Sequence, residues 1–419
     1  MKNMGLIDEK VIKNNLINLK NIVFEVTEKC NLNCKYCGLS EQLYQKYDVR
    51  KKRDLPFKKA QLMIDYLHNL WRENYLPDTN LRLSVGFYGG EPLLNTPLIE
   101  KIIDYVEQSL SPYRKIIYSM TTNAMLLDKY MDFLAGKNFY LVISLDGDER
   151  AQSYRIDRSG NNSFNQVIHN VKLLEQNHPE YFKERVHFLS VLHNRNDVEP
   201  ILHFFKTHFN KTPQISMLDS SGISEDKKDE FREMFQNMWQ SLYKSPNCEA
   251  IENEYFLTTP KGLLLAQFLY NTSGNIFYNY NQLLMSKIGN DKIYTGTCTP
   301  FSKKLFVAVD GKILPCERIE HDFEVGYVHD DFVELDYGHV ATRHNYYLSK
   351  YSDQCVRCPT NKLCYQCVYH IDDIRDKSSY CPNFCTQQSF NKEKEQKMDW
   401  LRQHPHYYEK VLKEISFTF

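Results

Sequence analysis

Val26-Thr-Glu-Lys-Cys30-Asn-Leu-Asn-Cys34-Lys-Tyr-Cys37 is the stretch on which the reading of this chain turns. Three cysteines spaced C-x3-C-x2-C follow an apolar run, residues 22–26, with the length and composition of a short buried strand. A loop leaving such a strand turns three thiolates toward one point, and thiolates are the ligands of iron–sulfur clusters. A cubane has four irons, so three ligands leave one iron open, and an open coordination position is where a metal centre does chemistry. The competing readings are a structural zinc knuckle and three unrelated core cysteines. Structural zinc takes four ligands, usually as two separated pairs, and no second pair lies near these three.

Working outward, strands and helices alternate from residue 22 to about residue 217. Asp54-Leu-Pro56 predicts a capped helix start with a first-turn proline. Leu62, Met63, Tyr66, Leu67, Leu70 and Trp71 then recur at the spacing of one helical face. Residues 81–88 read as the second strand, and Thr96-Pro97 opens the second helix. Residues 115–122, 140–146, 186–193 and 213–218 read as four further strands, with helices at 127–134, 163–176 and 197–209. This alternation predicts an α/β fold with a parallel sheet and right-handed crossovers. Six units are too few for an eight-stranded barrel, so the expectation is a partial (β/α)6 TIM-like barrel.

Active sites of parallel β/α barrels form at the carboxyl ends of the strands. The cysteine loop follows the first strand, Gly89-Gly90-Glu91-Pro92 the second and Thr121-Thr122-Asn123 the third. Ser144-Leu-Asp146-Gly147 ends the fourth and His193-Asn194 the fifth. One such coincidence means little; five in order predict a shared site. Gly89 and Gly90 let backbone approach a ligand with no side chain in the way. Glu91 is able to accept a charge-assisted hydrogen bond from an ammonium group. Ser144 and Asp146 offer a hydroxyl and a carboxylate, although Asp146-Gly147 also reads as a plain turn. Arg155 and Arg158 follow, each a solvated surface arginine by default.

Length and composition set the bounds. A chain of 419 residues suits two or three domains, and 42% apolar residues are enough for a sizeable core. A net charge of −1 writes no attraction for nucleic acid or anionic membranes into the chain as a whole. No apolar run approaches the roughly 20 residues of a membrane helix, and residues 1–20 lack the apolar segment of a secretory signal. The expected compartment is therefore a reducing cytoplasm, where twelve cysteines read as metal ligands and not as disulfides.

Eight of those cysteines lie in the C-terminal part: Cys298, Cys316, Cys355, Cys358, Cys364, Cys367, Cys381 and Cys385. Phe306-Val-Ala-Val-Asp310-Gly311-Lys-Ile-Leu314 predicts a hairpin with an Asp-Gly turn, placing Cys298 and Cys316 on either side of a small sheet. Eight thiolates are the number that two four-cysteine sites require, whether iron–sulfur clusters or zinc ribbons. Cys248 stands apart and reads as a structural or free thiol. Four segments follow: residues 1–220, a helical bridging region 221–290, a cysteine-rich domain 291–390 and a helical tail 391–419.

The first cysteine motif, with Tyr36 before its last cysteine, resembles that of the radical S-adenosylmethionine (SAM) enzymes. The resemblance implies a 4Fe–4S cluster at Cys30, Cys34 and Cys37, whose open iron is chelated by SAM and whose reduction yields a 5′-deoxyadenosyl radical. It further implies that Gly89, Gly90 and Glu91 hold the SAM amino group, that Ser144 and Asp146 meet its ribose, and that Arg155 meets its carboxylate. The C-terminal cysteines are similar to the SPASM extension of these enzymes, which carries two auxiliary 4Fe–4S clusters, for three in all. By resemblance Cys298, Cys316 and Cys367 serve the inner one, with Cys385, a non-cysteine side chain or an open position as its fourth ligand. Cys355, Cys358, Cys364 and Cys381 serve the outer one. The spacing Cys364-x2-Cys367 is one residue shorter than the common pattern, and Cys385 is an addition to it.

SPASM relatives mostly modify peptides or proteins, so the expected function is that of an enzyme. It would install a thioether or carbon–carbon crosslink in a ribosomally synthesised precursor peptide, using electrons from a reductant such as flavodoxin or ferredoxin. About twenty residues precede the first strand, so leader recognition is expected to use a separate protein or the enzyme body. The alternatives are anaerobic sulfatase maturation, which oxidises a Ser or Cys to formylglycine, and a non-catalytic iron–sulfur or zinc scaffold. Neither a nucleic acid nor a membrane is an expected partner. Asp219, Glu317 and several tyrosines are eligible as a base by position, and nothing in the sequence ranks them.

Overall fold

The computed structural model describes residues 6–39, 42–44, 51–74, 81–254, 262, 265–266, 268–269, 295–361, 364, 366–376 and 380–414. The chain forms two compact units, one of residues 7–237 with 298–344, the other drawn from residues 1–6, 238–297 and 345–419.

In the first unit, the six predicted strands are β1 (Asn21–Thr27), β2 (Arg82–Gly89), β3 (Lys115–Thr122), β4 (Tyr140–Ser144), β5 (Val186–Leu192) and β6 (Gln214–Met217). They lie side by side in chain order and every pair is parallel. Parallel neighbours need crossovers. These hold α2 (Phe57–Glu73), α3 (Thr96–Ser109), α4 (Leu127–Gly136), the pair α5 (Phe164–Asn177) and α6 (Pro179–Arg185), and α7 (Val198–Phe209).

The two faces of the sheet differ. Leu83, Val85 and Phe87 on β2, Tyr118 and Met120 on β3, Leu141 and Ile143 on β4, and Phe188 and Leu192 on β5 are buried. On β5 this face meets its helices directly, since Phe188 lies within 6.2 Å of the rings of Phe182 on α6 and of Phe205 and Phe209 on α7. The alternate residues are half-buried and partly polar: Ser84 and Tyr88, Ser119 and Thr121, Val142 and Ser144, Leu189 and Val191. A sheet buried on both faces would read as apolar throughout. Here the second face is only partly buried and mixed in polarity, with Val191 packed against the cluster of Tyr36, Tyr154, Leu218 and Phe231.

The predicted hairpin is present as β7 (Leu305–Val307) and β8 (Lys312–Leu314), antiparallel across the Asp310-Gly311 turn. Gly311 has φ +102°, and a Cβ there would sit 2.4 Å from the Val328 carbonyl oxygen, so the turn requires glycine. Its sheet is not separate, however. β7 pairs in parallel with β1, Val23 opposite Phe306, and β9 (Gly326–Val328) and β10 (Val333–Glu334) follow β8. The described strands thus form one sheet in the order β10-β9-β8-β7-β1-β2-β3-β4-β5-β6, with β1 near its centre.

One element is added and two local expectations are corrected. A helix α1 (Glu9–Ile17), which went unpredicted, is capped by Asp8, whose Oδ1 accepts from Val11 N at 3.0 Å; Ile12 and Leu16 are buried. Asp54 does not cap α2. Its carboxylate accepts from Thr27 Oγ1 at 2.6 Å and Lys29 Nζ at 2.5 Å, and Pro56 takes the cap position. The bridging region expected to be helical breaks at Phe235, whose ψ of 132° is extended, between the helices Lys228–Met234 and Met238–Lys244.

In the second unit, Leu265, Ala266 and Leu269 pack with Leu401 of helix Gln387–Gln403 and Val411 of helix His406–Glu414. Thr386 caps the first of these helices by accepting from Ser389 N at 3.1 Å. No described helix is long and apolar enough to cross a membrane.

Candidate iron–sulfur and nucleoside site

Cys30, Cys34 and Cys37 sit on the loop that leaves β1, the strand to which β2 and β7 both pair. All three are half-buried thiols outside any disulfide. Burial, with Glu91 and Cys37 adding to it, pushes the Cys30 thiol up to about 11. Burial likewise takes Cys34 to about 12, eased by the Arg155 guanidinium and opposed by Cys37, Cys30 and Asp146. Ionising one thiol therefore opposes ionising the next, which is the electrostatic condition a cationic iron core relieves. Among the described residues no three His, Cys, Asp or Glu side chains converge as ligands of a single metal ion would. The donor set fits a cluster with one thiolate per iron.

The loop is held from outside. Asn33 N donates to the Ile156 carbonyl at 2.7 Å and Lys35 N to the Tyr154 carbonyl at 3.0 Å. The Arg158 guanidinium donates twice to the Cys30 carbonyl, at 3.0 and 2.7 Å. On the other side Asn123 Nδ2 donates to Asn31 Oδ1 at 2.7 Å and approaches Cys30 Sγ at 3.8 Å. A cavity of about 510 Å³ opens beside Cys30, with Lys29, Lys52 and Arg158 around it.

Gly89 and Gly90 were expected to admit a ligand; what lies against them is this chain's own backbone. A Cβ on Gly89 (φ +146°) would fall 2.1 Å from the Thr27 carbonyl oxygen, and one on Gly90 2.3 Å from that of Lys29. Their lack of side chains lets Gly90 N donate to Thr27 O and Glu91 N to Lys29 O, which fastens the end of β2 to the cysteine loop.

Glu91 is 1% exposed. One carboxylate oxygen accepts from Thr122 Oγ1 at 2.7 Å and Leu93 N at 3.2 Å, the other from Asn123 N at 2.7 Å. Burial pushes its carboxyl up to about 7 against those three hydrogen bonds. Through Asn123 it connects to Cys30, a link that sequence reading missed although it had marked both residues.

Asp146 is fully buried. Its carboxylate accepts from Arg155 Nε at 3.0 Å and Nη2 at 2.9 Å, from Val191 N at 2.9 Å and from the Tyr36 hydroxyl. Burial raises this carboxyl, but Arg155, with His193 at 3.7 Å, outweighs it and leaves it at about 2. Arg155, expected on a ligand carboxylate, is instead spent on Asp146 and is itself buried. Ser144 is half-buried on the mixed face of the sheet.

Of the two carboxylates among the eligible bases, Glu317 accepts from Lys304 Nζ at 2.8 and 2.9 Å beside Cys316. Burial raises its carboxyl, Lys304 outweighs that, and the net result is below the usual range, so it is charged and paired. Asp219 accepts from Ser221 N and Oγ.

Cys298 and Cys316 belong to the first unit; Cys355, Cys358, Cys364, Cys367, Cys381 and Cys385 belong to the second. Within the second, burial first, and then Cys381, Cys364 and Cys358, push the Cys355 thiol up to about 12, so these three thiols lie within electrostatic reach of Cys355. Cys385, expected at the inner one, is raised by burial and then by Cys358 of that same group.

Residues 24–205 match the family model of the Radical SAM superfamily. The chain is 30% identical over 167 residues to the radical SAM cyclopropyl synthase TigE of Paramaledivibacter caminithermalis, an alignment covering 38% of this chain and 33% of that protein. It thus spans about a third of that relative's length. It is 24% identical over 357 residues to a cysteine-type anaerobic sulfatase-maturating enzyme of Clostridium novyi, covering 83% of this chain and 86% of the relative. The solved structure of anSMEcpe with bound AdoMet and Kp18Cys peptide superposes with a TM-score of 0.61 over 94% of this chain and 99% of that one. At 18% identity this is a likeness of fold.

Proposed function

We propose that this chain, a radical SAM protein through its residues 24–205, is an enzyme that abstracts a hydrogen from a peptide residue and installs a crosslink there, as a thioether or a carbon–carbon bond. The observation that carries the reading is the cysteine triad, three half-buried, mutually opposed thiols at the carboxyl end of β1, beside a half-exposed, partly polar sheet face.

Cys30, Cys34 and Cys37 would hold the 4Fe–4S cluster, which with SAM supplies hydrogen abstraction from an unactivated carbon. The chain's own part is positioning. Asn123 and Arg158 orient the Cys30 segment, and the glycine pair lets β2 close on it. Tyr88, Ser119, Thr121 and Ser144 offer hydroxyls along the open face for SAM and peptide. The second-unit group Cys355, Cys358, Cys364 and Cys381 would hold an auxiliary cluster able to take up an electron. A donor such as flavodoxin or ferredoxin in a reducing compartment would supply electrons.

Sulfatase maturation is the second reading, favoured by the likeness to the Clostridium novyi enzyme along most of both chains. Anaerobically reconstituted protein given SAM and dithionite should release 5′-deoxyadenosine. Mass spectrometry of co-expressed peptides then separates the readings: loss of two hydrogens with a new inter-residue bond supports crosslinking, and conversion of a sulfatase Cys or Ser to formylglycine supports the second. No 5′-deoxyadenosine would leave a scaffold.

A further inference from the structure

We propose that Asp146 is a positioning residue that locks the cysteine loop in place, and that it does not bind the nucleoside. The inference rests on reading Cys30, Cys34 and Cys37 as cluster ligands. An ionised carboxylate has about four lone-pair sites. In Asp146 all four are filled from within the chain: two by the Arg155 fork, one by Val191 N of β5 and one by the Tyr36 hydroxyl. No acceptor is left for a ribose hydroxyl, and the side chain has no exposed surface.

Each of those donors leads somewhere useful. Tyr36 lies between Cys34 and Cys37, so its bond to Asp146 ties the second half of the cysteine loop to the end of β4. Its ring lies 5.6 Å from His193 and 6.2 Å from Tyr154, and Arg155 stands 5.4 Å over it. Arg155 belongs to the stretch 154–158 whose carbonyls, at Tyr154 and Ile156, receive Lys35 N and Asn33 N, and whose Arg158 grips the Cys30 carbonyl. Leu32 and Asp157 add a bridge between the two stretches. Segment 154–158 thus acts as a template for the cysteine loop, and the buried Asp146–Arg155 pair fixes the template to β4 and β5. Gln152 completes the arrangement by accepting from Asp146 N at 2.9 Å and donating to Ser163 Oγ at 3.1 Å. The scheme is that of partners behind metal ligands, which orient them without touching the metal.

The test compares Asp146→Asn with wild type after anaerobic reconstitution, using iron per chain, the rate of iron loss to EDTA, and SAM affinity of the loaded protein. The triple variant Cys30→Ala/Cys34→Ala/Cys37→Ala supplies the baseline from the other cysteines. An amide in this place keeps one acceptor and turns a donor against donors. The expected result is triad iron lost about tenfold faster, with SAM affinity of the loaded fraction unchanged. Wild-type iron retention at the triad with SAM affinity lowered would overturn the proposal in favour of a ribose contact, and no change in either would overturn it outright. If Asp146→Asn does not fold, Tyr36→Phe decides, since it removes only the bond from the loop. Faster loss of triad iron supports the proposal, and wild-type loss refutes it. A wild-type protein that loads no triad iron would instead refute the underlying reading of the cysteines.

Discussion

Replacing Glu91 with Gln should change the pH dependence of stability more than stability itself. The carboxyl is enclosed and raised from 4.5 to about 7 by burial. A group raised in the folded state adds stability that is fully present below its unfolded value of 4.5 and is lost as pH rises through about 7. At about 1.36 kcal/mol per pH unit, that interval is worth about 3 kcal/mol, most of it falling between pH 5 and 8. Gln removes the titration. It keeps one oxygen for Thr122 and Leu93 but turns its amide against Asn123 N–H, an unmet buried donor costing about 1–3 kcal/mol. Near pH 5 the variant should therefore be the less stable protein, and by pH 8 the difference should shrink to nothing or reverse. Calorimetry of the iron-free chain at both pH values reads this directly, since about 1 kcal/mol moves the midpoint of a unit this large by about 2 °C. A variant-minus-wild-type difference that is the same at pH 5 and pH 8 would refute the reasoning.

Two further outcomes follow from single residues. Gly89→Ala should cost about 4 kcal/mol or prevent folding, because the new Cβ meets the Thr27 carbonyl at 2.1 Å on a backbone of positive φ. Gly38→Ala, with nothing within 4 Å, should stay within about 0.5 kcal/mol, and thermal midpoints of the pair test the contrast. Asp146, lowered from 3.8 to about 2, contributes stability that is present above pH 3.8 and lost as pH falls through about 2. Acid titration followed by near-ultraviolet circular dichroism should show a loss in that range that Asp146→Asn lacks.

Much of the first unit was legible because its strands are short apolar runs between helices of clear period, and β1 to β6 lie where alternation puts them. The place of β7 was not. Three residues carry no period, and their pairing with a strand some 280 positions earlier is set by tertiary packing. Helix α1 did leave a signal, a capping Asp8 before the apolar Ile12 and Leu16 on one helical face.

For the site, residue identities were readable and partners were not. The five strand-end motifs were visible, but a carboxylate in sequence looks the same whether it faces a ligand or its own chain. Glu91 and Asp146 both prove to be enclosed, a consequence of Asn123, Tyr36 and Arg155 reaching them from other loops. Cys381, Cys364 and Cys358 act on the Cys355 thiol, and Cys358 also acts on Cys385, proximities that a cysteine count in sequence does not give.

Electron paramagnetic resonance of the dithionite-reduced protein, with and without SAM, tests the triad most directly when wild type is set beside the Cys30→Ala/Cys34→Ala/Cys37→Ala variant. A signal that SAM perturbs in wild type and that vanishes with the three thiols is the predicted result. A spectrum indifferent to SAM, or a SAM-perturbed signal that survives loss of all three cysteines, would contradict the account.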